Sequence, residues 1–179
     1  CQQAENDFVG VQCGVMDQLA VALGKENHAL LLDTGTLEYE HIPMDLNDTR
    51  IVVVNTGVAR NLADGAYNEV RTKNDTAVQI LAAEDVKLCK ISPEEIEVHK
   101  DELEEKDVFP LVRHMINENA RTLHAKKAIE EGNLQNLGQL LTESHESLRD
   151  DMEVSCFELD LLTETAIEID GVLGARMMG

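Results

Sequence analysis

The spacing of apolar residues changes once along the chain, and this change constrains the fold more than any other feature. His28–Asp33 is an apolar run, and Leu37, Tyr39 and His41 then alternate with glutamates. From about residue 60 onward, apolar residues instead recur every three or four positions. The first pattern is typical of strands and the second of amphipathic helices. Strands followed by helices, without regular alternation of the two, predict an α+β fold.

Three shorter stretches add to the predicted β-hairpin at 28–41. Residues 1–24 contain two interrupting glycines and predict a helix, a tight loop and a second helix. Arg50–Asn55 is the most β-branched part of the chain, and its lack of polar alternation predicts a strand buried on both faces. Residues 172–179 also have the composition of a strand, which we expect to continue beyond residue 179.

The helical part of the chain has recognisable helix ends. Ser92–Glu95 combines an N-cap, a proline at the first helical position and a capping-box glutamate, so a helix should begin there. Ser155 with Glu158 forms a second capping box. Apolar positions also predict two long antiparallel helices, over 108–123 and 134–148, joined at Gly132-Asn133.

The charge balance excludes one class of partner. Thirty-five acidic and fifteen basic residues give a formal charge of −20. A protein that follows a nucleic-acid backbone needs positive charge to displace counterions from the phosphates. We therefore expect no nucleic-acid partner. No run of apolar residues reaches membrane-spanning length, and we expect no membrane partner either.

Cysteine and histidine spacing gives no sign of a disulfide framework or a zinc site. The four cysteines are far apart and form no CxxC motif, which fits a reducing, cytoplasmic location. The six histidines form neither an HExxH motif nor an i,i+4 pair. With no tryptophan and only five Phe or Tyr residues, the core should be aliphatic.

The first candidate for chemistry lies in Cys13–Gln18. Gly14 permits an unusual turn there, and Asp17 should fall in or near the first turn of the following helix. A carboxylate in that position stabilises a helix through its dipole, and spacing alone favours this purely electrostatic role. An ionised carboxylate at a helix N-terminus is equally able to accept a proton from a substrate hydroxyl. Asp17 is therefore a candidate for both roles.

Two further residues have alternative interpretations. Glu5 precedes Asp17 by twelve residues, and two such acids on neighbouring helices can hold Mg²⁺ together with substrate phosphates. Acidic residues are so frequent in this chain that a solvated helix face is the favoured explanation. Tyr67 belongs to a predicted helix and either packs as an ordinary amphipathic residue or points its hydroxyl into a cleft.

Two sets of polar residues in the helical part are better explained by a structural role than by a catalytic one. Arg113, His114, Asn117, Glu118 and Arg121 share a face, for which a solvated or helix-packing surface is the favoured interpretation. Ser144-His145 with Asp150 and Asp151 resembles the composition of a nucleophilic triad. No strand–turn–helix elbow surrounds Ser144, so we do not expect a hydrolase.

The ordered set of motifs resembles the galactokinases, a family of the GHMP small-molecule kinases, over nearly the whole chain. The motifs are CQQAENDFVG at 1–10, CGVMDQ at 13–18, YNE at 67–69, RHMINENAR at 113–121, ESHESLRDD at 143–151, VSC at 154–156 and GARM at 174–177. Any one of them is modestly specific, whereas their common order is highly specific.

The resemblance implies a reaction and the residues that perform it. Galactokinases transfer the γ-phosphoryl group of ATP to the C1 hydroxyl of galactose. Asp17 matches the catalytic aspartate of the family, Glu5 its Mg²⁺-associated glutamate, and Tyr67 the tyrosine that contacts the sugar; Gly14 adjoins Asp17 in the substrate site. The implied cofactors are ATP and Mg²⁺, the implied partners galactose and MgATP, and the implied whole protein is a cytoplasmic monomer.

The resemblance also implies a GHMP-kinase-like two-domain fold with the active site between the domains. Residues 1–45 would end the N-terminal domain, and 46–179 would form most of the C-terminal domain. The GRxNLIGEHxDY and PxGxGLSSSA motifs of the family do not occur in the chain. We therefore expect no residues that bind the ATP phosphates within these 179 residues, and no kinase activity from them alone.

Three alternatives remain open from the sequence. Galactokinase-like proteins also serve as non-catalytic sensors of galactose and ATP that bind transcription regulators. Related kinases phosphorylate N-acetylgalactosamine or arabinose instead. A purely helical interaction module would need only the helices of 108–169 and would tolerate the loss of Asp17.

Overall fold

The computed structural model describes residues 2–9, 14–58, 66–81 and 91–178, and these combine one small sheet with helices. The predicted α+β class is confirmed. The helices are α1 (Gln2–Ala4), a π-helical turn (Glu5–Val9), α2 (Met16–Leu23), α3 (Ala66–Ile80), α4 (Pro93–Val98), α5 (Lys100–Glu105), α6 (Phe109–Glu130), α7 (Leu134–Asp150) and α8 (Phe157–Ile167). The strands are β1 (His28–Leu32) and β2 (Tyr39–Pro43).

The hairpin forms where the alternating pattern predicts it. β1 and β2 pair antiparallel, with Leu30 opposite His41. In the connecting turn, the Asp33 carboxylate accepts hydrogen bonds from the backbone N–H groups of Gly35 (2.7 Å) and Thr36 (3.1 Å). An aspartate that bonds its own backbone two and three residues later stabilises a tight reversal of the chain.

The two other predicted strands are wrong. Residues 50–55 form no strand, and their side chains are exposed rather than buried, with Val53 83% exposed. Residues 172–178 are not a strand either. A strand needs a neighbour that takes up its backbone hydrogen bonds, and within the described ranges only β1 and β2 pair. A β-branched run favours extended backbone but does not specify that neighbour.

The helix ends agree with the sequence in one case and depart from it in another. α4 begins at Pro93, as the capping signal predicts. α8 begins at Phe157 with Cys156 as its N-cap, so the capping box assigned to Ser155 is wrong by one residue. The Ser155 hydroxyl instead donates to the Asp160 carboxylate at 2.5 Å, a charge-assisted bond stronger than one between neutral groups.

The two long helices are joined as predicted at Gly132-Asn133. Gly132 has a φ of +66°, and its N–H bonds the carbonyl of Ile129 at 3.1 Å. The N–H of Asn133 bonds the carbonyl of Ala128 at 2.8 Å. This pair of bonds closes the end of α6, and the left-handed backbone conformation explains the glycine.

α6 and α7 are antiparallel over their contacting parts. His114 of α6 bonds Ser147 of α7, whereas Glu118, one turn further along α6, bonds Ser144, one turn earlier on α7. The predicted antiparallel pair is therefore confirmed.

The chain divides into two compact units. One contains Cys1–Arg50 and Lys126–Leu134, so the hairpin, α2 and the end of α6 belong together. In it, Ile42 of β2 is buried, and Lys126 bonds Glu40 at 2.7 Å.

The other unit contains Ile51–Ala125 and Gln135–Gly179 and holds the main apolar core. Val108, Val112 and Ile116 recur every four residues and form one buried stripe that begins just before α6 and continues along it. Ala77, Ile96 and Leu103 of the preceding helices complete this core, together with Ile91. The domain boundary after residue 45 stays a prediction. In the part of the chain that the structure describes, no helix is long and apolar enough to span a membrane.

Candidate functional site

The sequence predicts Asp17 in the first turn of a helix, and the structure places it there. α2 begins at Met16, and the Asp17 side chain is exposed. Gly14 is also exposed, and a Cβ atom built on it would meet no other described part of the chain within 4 Å. The end of α2 that carries Asp17 is thus exposed to solvent.

The opposite end of α2 is attached to the hairpin. The half-buried imidazole of His41, on β2, has its Nε2 atom 2.7 Å from the carbonyl oxygen of Leu23, the last residue of α2. Its ring lies edge-to-face with Tyr39 at 5.5 Å and with His28 at 6.1 Å between ring centres. α2 therefore has one fixed end and one exposed end.

Glu5 lies in the π-helical turn with its carboxylate exposed. Among the residues that the structure describes, no group of three or more His, Cys, Asp or Glu side chains is arranged to hold a metal ion. Mg²⁺ commonly takes only one or two protein carboxylates and completes its octahedron with water and substrate phosphates. A single exposed carboxylate such as Glu5 fits that kind of site.

The predicted site residues do not all belong to one unit. Glu5, Gly14 and Asp17 are in the unit that contains the hairpin. Tyr67 lies in α3, which belongs to the other unit. The structure describes its backbone but not its side chain. The role predicted for Tyr67 therefore stays a prediction.

A network of polar side chains between helices is the feature that sequence reasoning underestimated. We call it the polar layer, and it comprises Arg113, His114, Glu118, Arg121, Ser144, His145, Ser147, Asp151, Asp160 and Arg176. For the face of Arg113, His114, Asn117, Glu118 and Arg121, spacing favours a solvated or helix-packing surface. The face is of both kinds, because His114 is buried and Glu118 and Arg121 are half-buried, whereas Arg113 and Asn117 are exposed.

One branch of the polar layer runs from a histidine to a carboxylate. The Ser147 hydroxyl donates to Asp151 at 2.7 Å, and Asp151 also pairs with Arg113. Because that hydroxyl has only one hydrogen, His114 Nδ1, 2.9 Å away, must be the donor to the Ser147 oxygen. Burial lowers the pKa of His114, against the opposing effect of Glu118.

A second branch is centred on Glu118. Its carboxylate accepts a hydrogen bond from Ser144 at 2.5 Å and pairs with Arg121. Arg176, from the segment after α8, lies 3.6 Å from the same carboxylate. Glu118 thereby connects α6, α7 and the C-terminal segment.

His145 fixes that C-terminal segment from α7. The backbone N–H of Met177 donates to His145 Nδ1 at 3.3 Å, so Nδ1 carries no hydrogen and the hydrogen of the neutral ring is on Nε2. Nε2 lies 3.3 Å from Asp160 Oδ1, although the alignment is too poor for a hydrogen bond. Burial lowers the pKa of His145, with Asp160 acting in the opposite direction. Burial therefore favours the neutral form of this ring.

The polar layer does not form a nucleophilic site at Ser144. The Ser144 hydroxyl donates to Glu118, and His145 is occupied by Met177 and faces Asp160. At Ser147 the histidine donates to the serine instead of accepting its proton, which is the reverse of a nucleophile and its base. These residues bond one helix to another.

Comparisons with known proteins agree with the family resemblance that the ordered motifs indicate. No family model matches the chain. The galactokinase of Ligilactobacillus salivarius strain UCC118 is 45% identical over 179 residues, which is 99% of this chain and 46% of that protein. The galactokinase of Streptococcus mutans strain UA159 is 46% identical over 180 residues, with the same coverage. The chain is homologous to galactokinases. This confirms the resemblance found from the motifs.

A solved structure extends the agreement to the fold. The crystal structure of Lactococcus lactis galactokinase complexed with galactose matches 99% of this chain with a TM-score of 0.92 at 41% identity. The match covers 46% of that galactokinase chain. The chain therefore has the fold of part of a galactokinase and spans about half the length of the relatives that it matches.

Proposed function

We propose that the protein carrying this sequence is a galactokinase, which transfers the γ-phosphoryl group of ATP to the C1 hydroxyl of galactose. The observation that carries the proposal is 43–46% identity to proteins named galactokinase across 99–100% of the chain. The galactose in the structure of the Lactococcus lactis relative supports this choice of sugar.

In this proposal Asp17 is the catalytic base. Phosphoryl transfer requires an oriented hydroxyl and stabilisation of charge on the transferred group. An exposed carboxylate in the first turn of α2 is able to accept the proton of the sugar hydroxyl as the new P–O bond forms. Gly14 leaves room beside it, because among the described residues no atom beyond its own chain neighbours lies within 4 Å of its Cβ position.

Glu5 is the proposed ligand of Mg²⁺ and Tyr67 a proposed sugar contact. A magnesium ion supplies positive charge at the phosphates of ATP, and the exposed carboxylate of Glu5 suits one of its coordination positions. The phosphate-binding loop and a catalytic arginine are not assigned to this chain, so we propose that its 179 residues alone do not phosphorylate galactose. We further propose a GHMP-type, cytoplasmic and monomeric whole protein.

The direct test uses the full-length protein that carries this sequence. The protein is incubated with MgATP and galactose, and phosphorus NMR detects galactose 1-phosphate. N-acetylgalactosamine and arabinose in place of galactose test the related kinases. A folded protein that binds galactose and ATP but forms no sugar phosphate would contradict the proposal and favour the sensor.

A chimera tests these residues themselves. The 179 residues replace the matching segment of Lactococcus lactis galactokinase, with the isolated chain assayed in parallel. We expect the chimera to phosphorylate galactose and the isolated chain to be inactive. Activity that survives Asp17→Asn in the chimera would contradict the role of Asp17, and activity of the isolated chain would contradict the proposed need for further segments.

A further inference from the structure

A side chain of the hairpin holds α2 at the end opposite Asp17. Leu23 is the last residue of α2, and its carbonyl oxygen lies 2.7 Å from His41 Nε2. Because a carbonyl oxygen only accepts hydrogen bonds, Nε2 must carry the hydrogen and donate it. The last four carbonyl groups of any helix lack partners inside that helix, and this bond satisfies one of them.

The donor is itself held in place. The imidazole of His41 contacts the rings of Tyr39 and His28 edge-to-face, an arrangement that aromatic rings prefer. The next residue back along β2, Glu40, faces the other side of the hairpin and bonds Lys126 of α6 at 2.7 Å. β2 is thus attached on one face to α2 and on the other to α6, within a single compact unit.

We propose that His41 is a positioning residue for Asp17, an inference that rests on the proposed catalytic role of Asp17. α2 has eight residues and is therefore about 12 Å long. A helix this short moves as a rigid rod, so a shift at Leu23 displaces the first turn. The bond from His41 to Leu23 sets where the Asp17 carboxylate meets the sugar hydroxyl.

This role predicts a loss of kcat with little change in KM. A displacement of about 1 Å at a reacting group is able to cost roughly 100-fold in rate. The sugar and ATP would keep their other contacts, so their binding should change little. A residue that only stabilises the fold would lower the thermal midpoint and the active fraction without changing kcat per folded enzyme.

The test compares two substitutions of similar length in the full-length protein. His41→Gln keeps an N–H group at about the reach of Nε2, whereas His41→Met has the same reach and no donor. We expect His41→Met to lower kcat about tenfold, with KM for galactose within about twofold, and His41→Gln to recover most of the rate. His41→Phe, which keeps the ring contacts, should behave as His41→Met does.

His28→Phe is the matched control. His28 belongs to the same ring cluster, but its Nδ1 bonds the carbonyl of Glu26 in the preceding turn instead of α2. Phenylalanine keeps a ring beside His41 and loses only the bond to Glu26, so we expect the kcat of this variant to remain near that of the wild type. The inference is overturned if His41→Met keeps full kcat, if His41→Gln is as slow as His41→Met, or if His28→Phe is equally slow.

Amide hydrogen exchange separates this inference from the proposed function. Exchange at the amides of Leu19–Gly24 should be faster in His41→Met than in the wild type and should return to the wild-type rate in His41→Gln. Unchanged exchange would overturn the anchoring of α2, whatever the activity. A folded wild-type protein without galactokinase activity would instead overturn the proposed function.

Discussion

Carboxylates at the start of α2 and in the polar layer are used in opposite ways. Asp17 and Glu5 are exposed. In the polar layer, Asp151 accepts from Ser147 and pairs with Arg113, while Glu118 is shared by a serine and arginines. A carboxylate whose lone pairs are taken by its own protein stabilises helix contacts. An exposed carboxylate remains available to a substrate.

The largest expected effect comes from exchanging the carboxylate for an amide in each region. Asp17→Asn should lower kcat for galactose phosphorylation by about 10²–10⁴-fold, the usual contribution of a general base, with little change in the thermal midpoint. Asp151→Asn should instead lower the thermal midpoint and leave kcat nearly unchanged, because it removes the charge that pairs with Arg113 in the polar layer. Steady-state kinetics and thermal unfolding of both variants provide the measurement. Equal losses of activity in the two would remove the distinction between the regions.

A smaller effect is expected from adding one methyl group to a glycine in each region. A Cβ atom on Gly138 of α7 would lie 2.2 Å from the backbone oxygen of Leu173, and backbone cannot rotate away as a side chain does. Gly138→Ala should therefore destabilise the protein by about 1–3 kcal/mol, although alanine is the better helix former.

Gly14→Ala is the control, since its Cβ position is open. It should change the free energy of unfolding by less than about 0.5 kcal/mol. Denaturant unfolding of both variants compares the two sites. A Gly138→Ala protein as stable as the wild type would show that the contact between α7 and the C-terminal segment is loosely packed.

Sequence patterns over a few residues predict much of this fold, whereas they do not predict which distant segments contact each other. The hairpin, the start of α4 and the junction of α6 with α7 each follow from residues a few positions apart. The strand predicted at 50–55 failed because a strand depends on a neighbour that the local pattern does not name.

The candidate site shows the same limit. The place of Asp17 in the first turn of α2 was predictable from the local sequence, and ordered motifs supplied its expected role. The bond from His41 to Leu23 joins residues 18 apart, and the His114–Ser147 bond in the polar layer depends on how α6 meets α7. One signal for the polar layer was present: His, Ser and Asp residues recur at helical spacing on two helices predicted to be antiparallel. Pairing those faces would have placed the histidines inside.

The smallest expected effect is a pH dependence confined to the polar layer. Burial lowers the pKa values of His114 and His145 in the folded protein, so the unfolded chain takes up their protons first as the pH falls below about 6.5. Unfolding then binds protons, and the free energy of unfolding falls as the pH decreases from 6.5 to 5.

His114→Asn and His145→Asn remove the titrating rings while an amide group replaces each Nδ1 contact. We expect the double variant to have a flatter stability profile than the wild type in this range. His124→Asn, an exposed substitution on α6, should leave the profile unchanged. Denaturant titrations at several pH values give these slopes, and an equally steep slope in the double variant would show that the buried histidines do not control it.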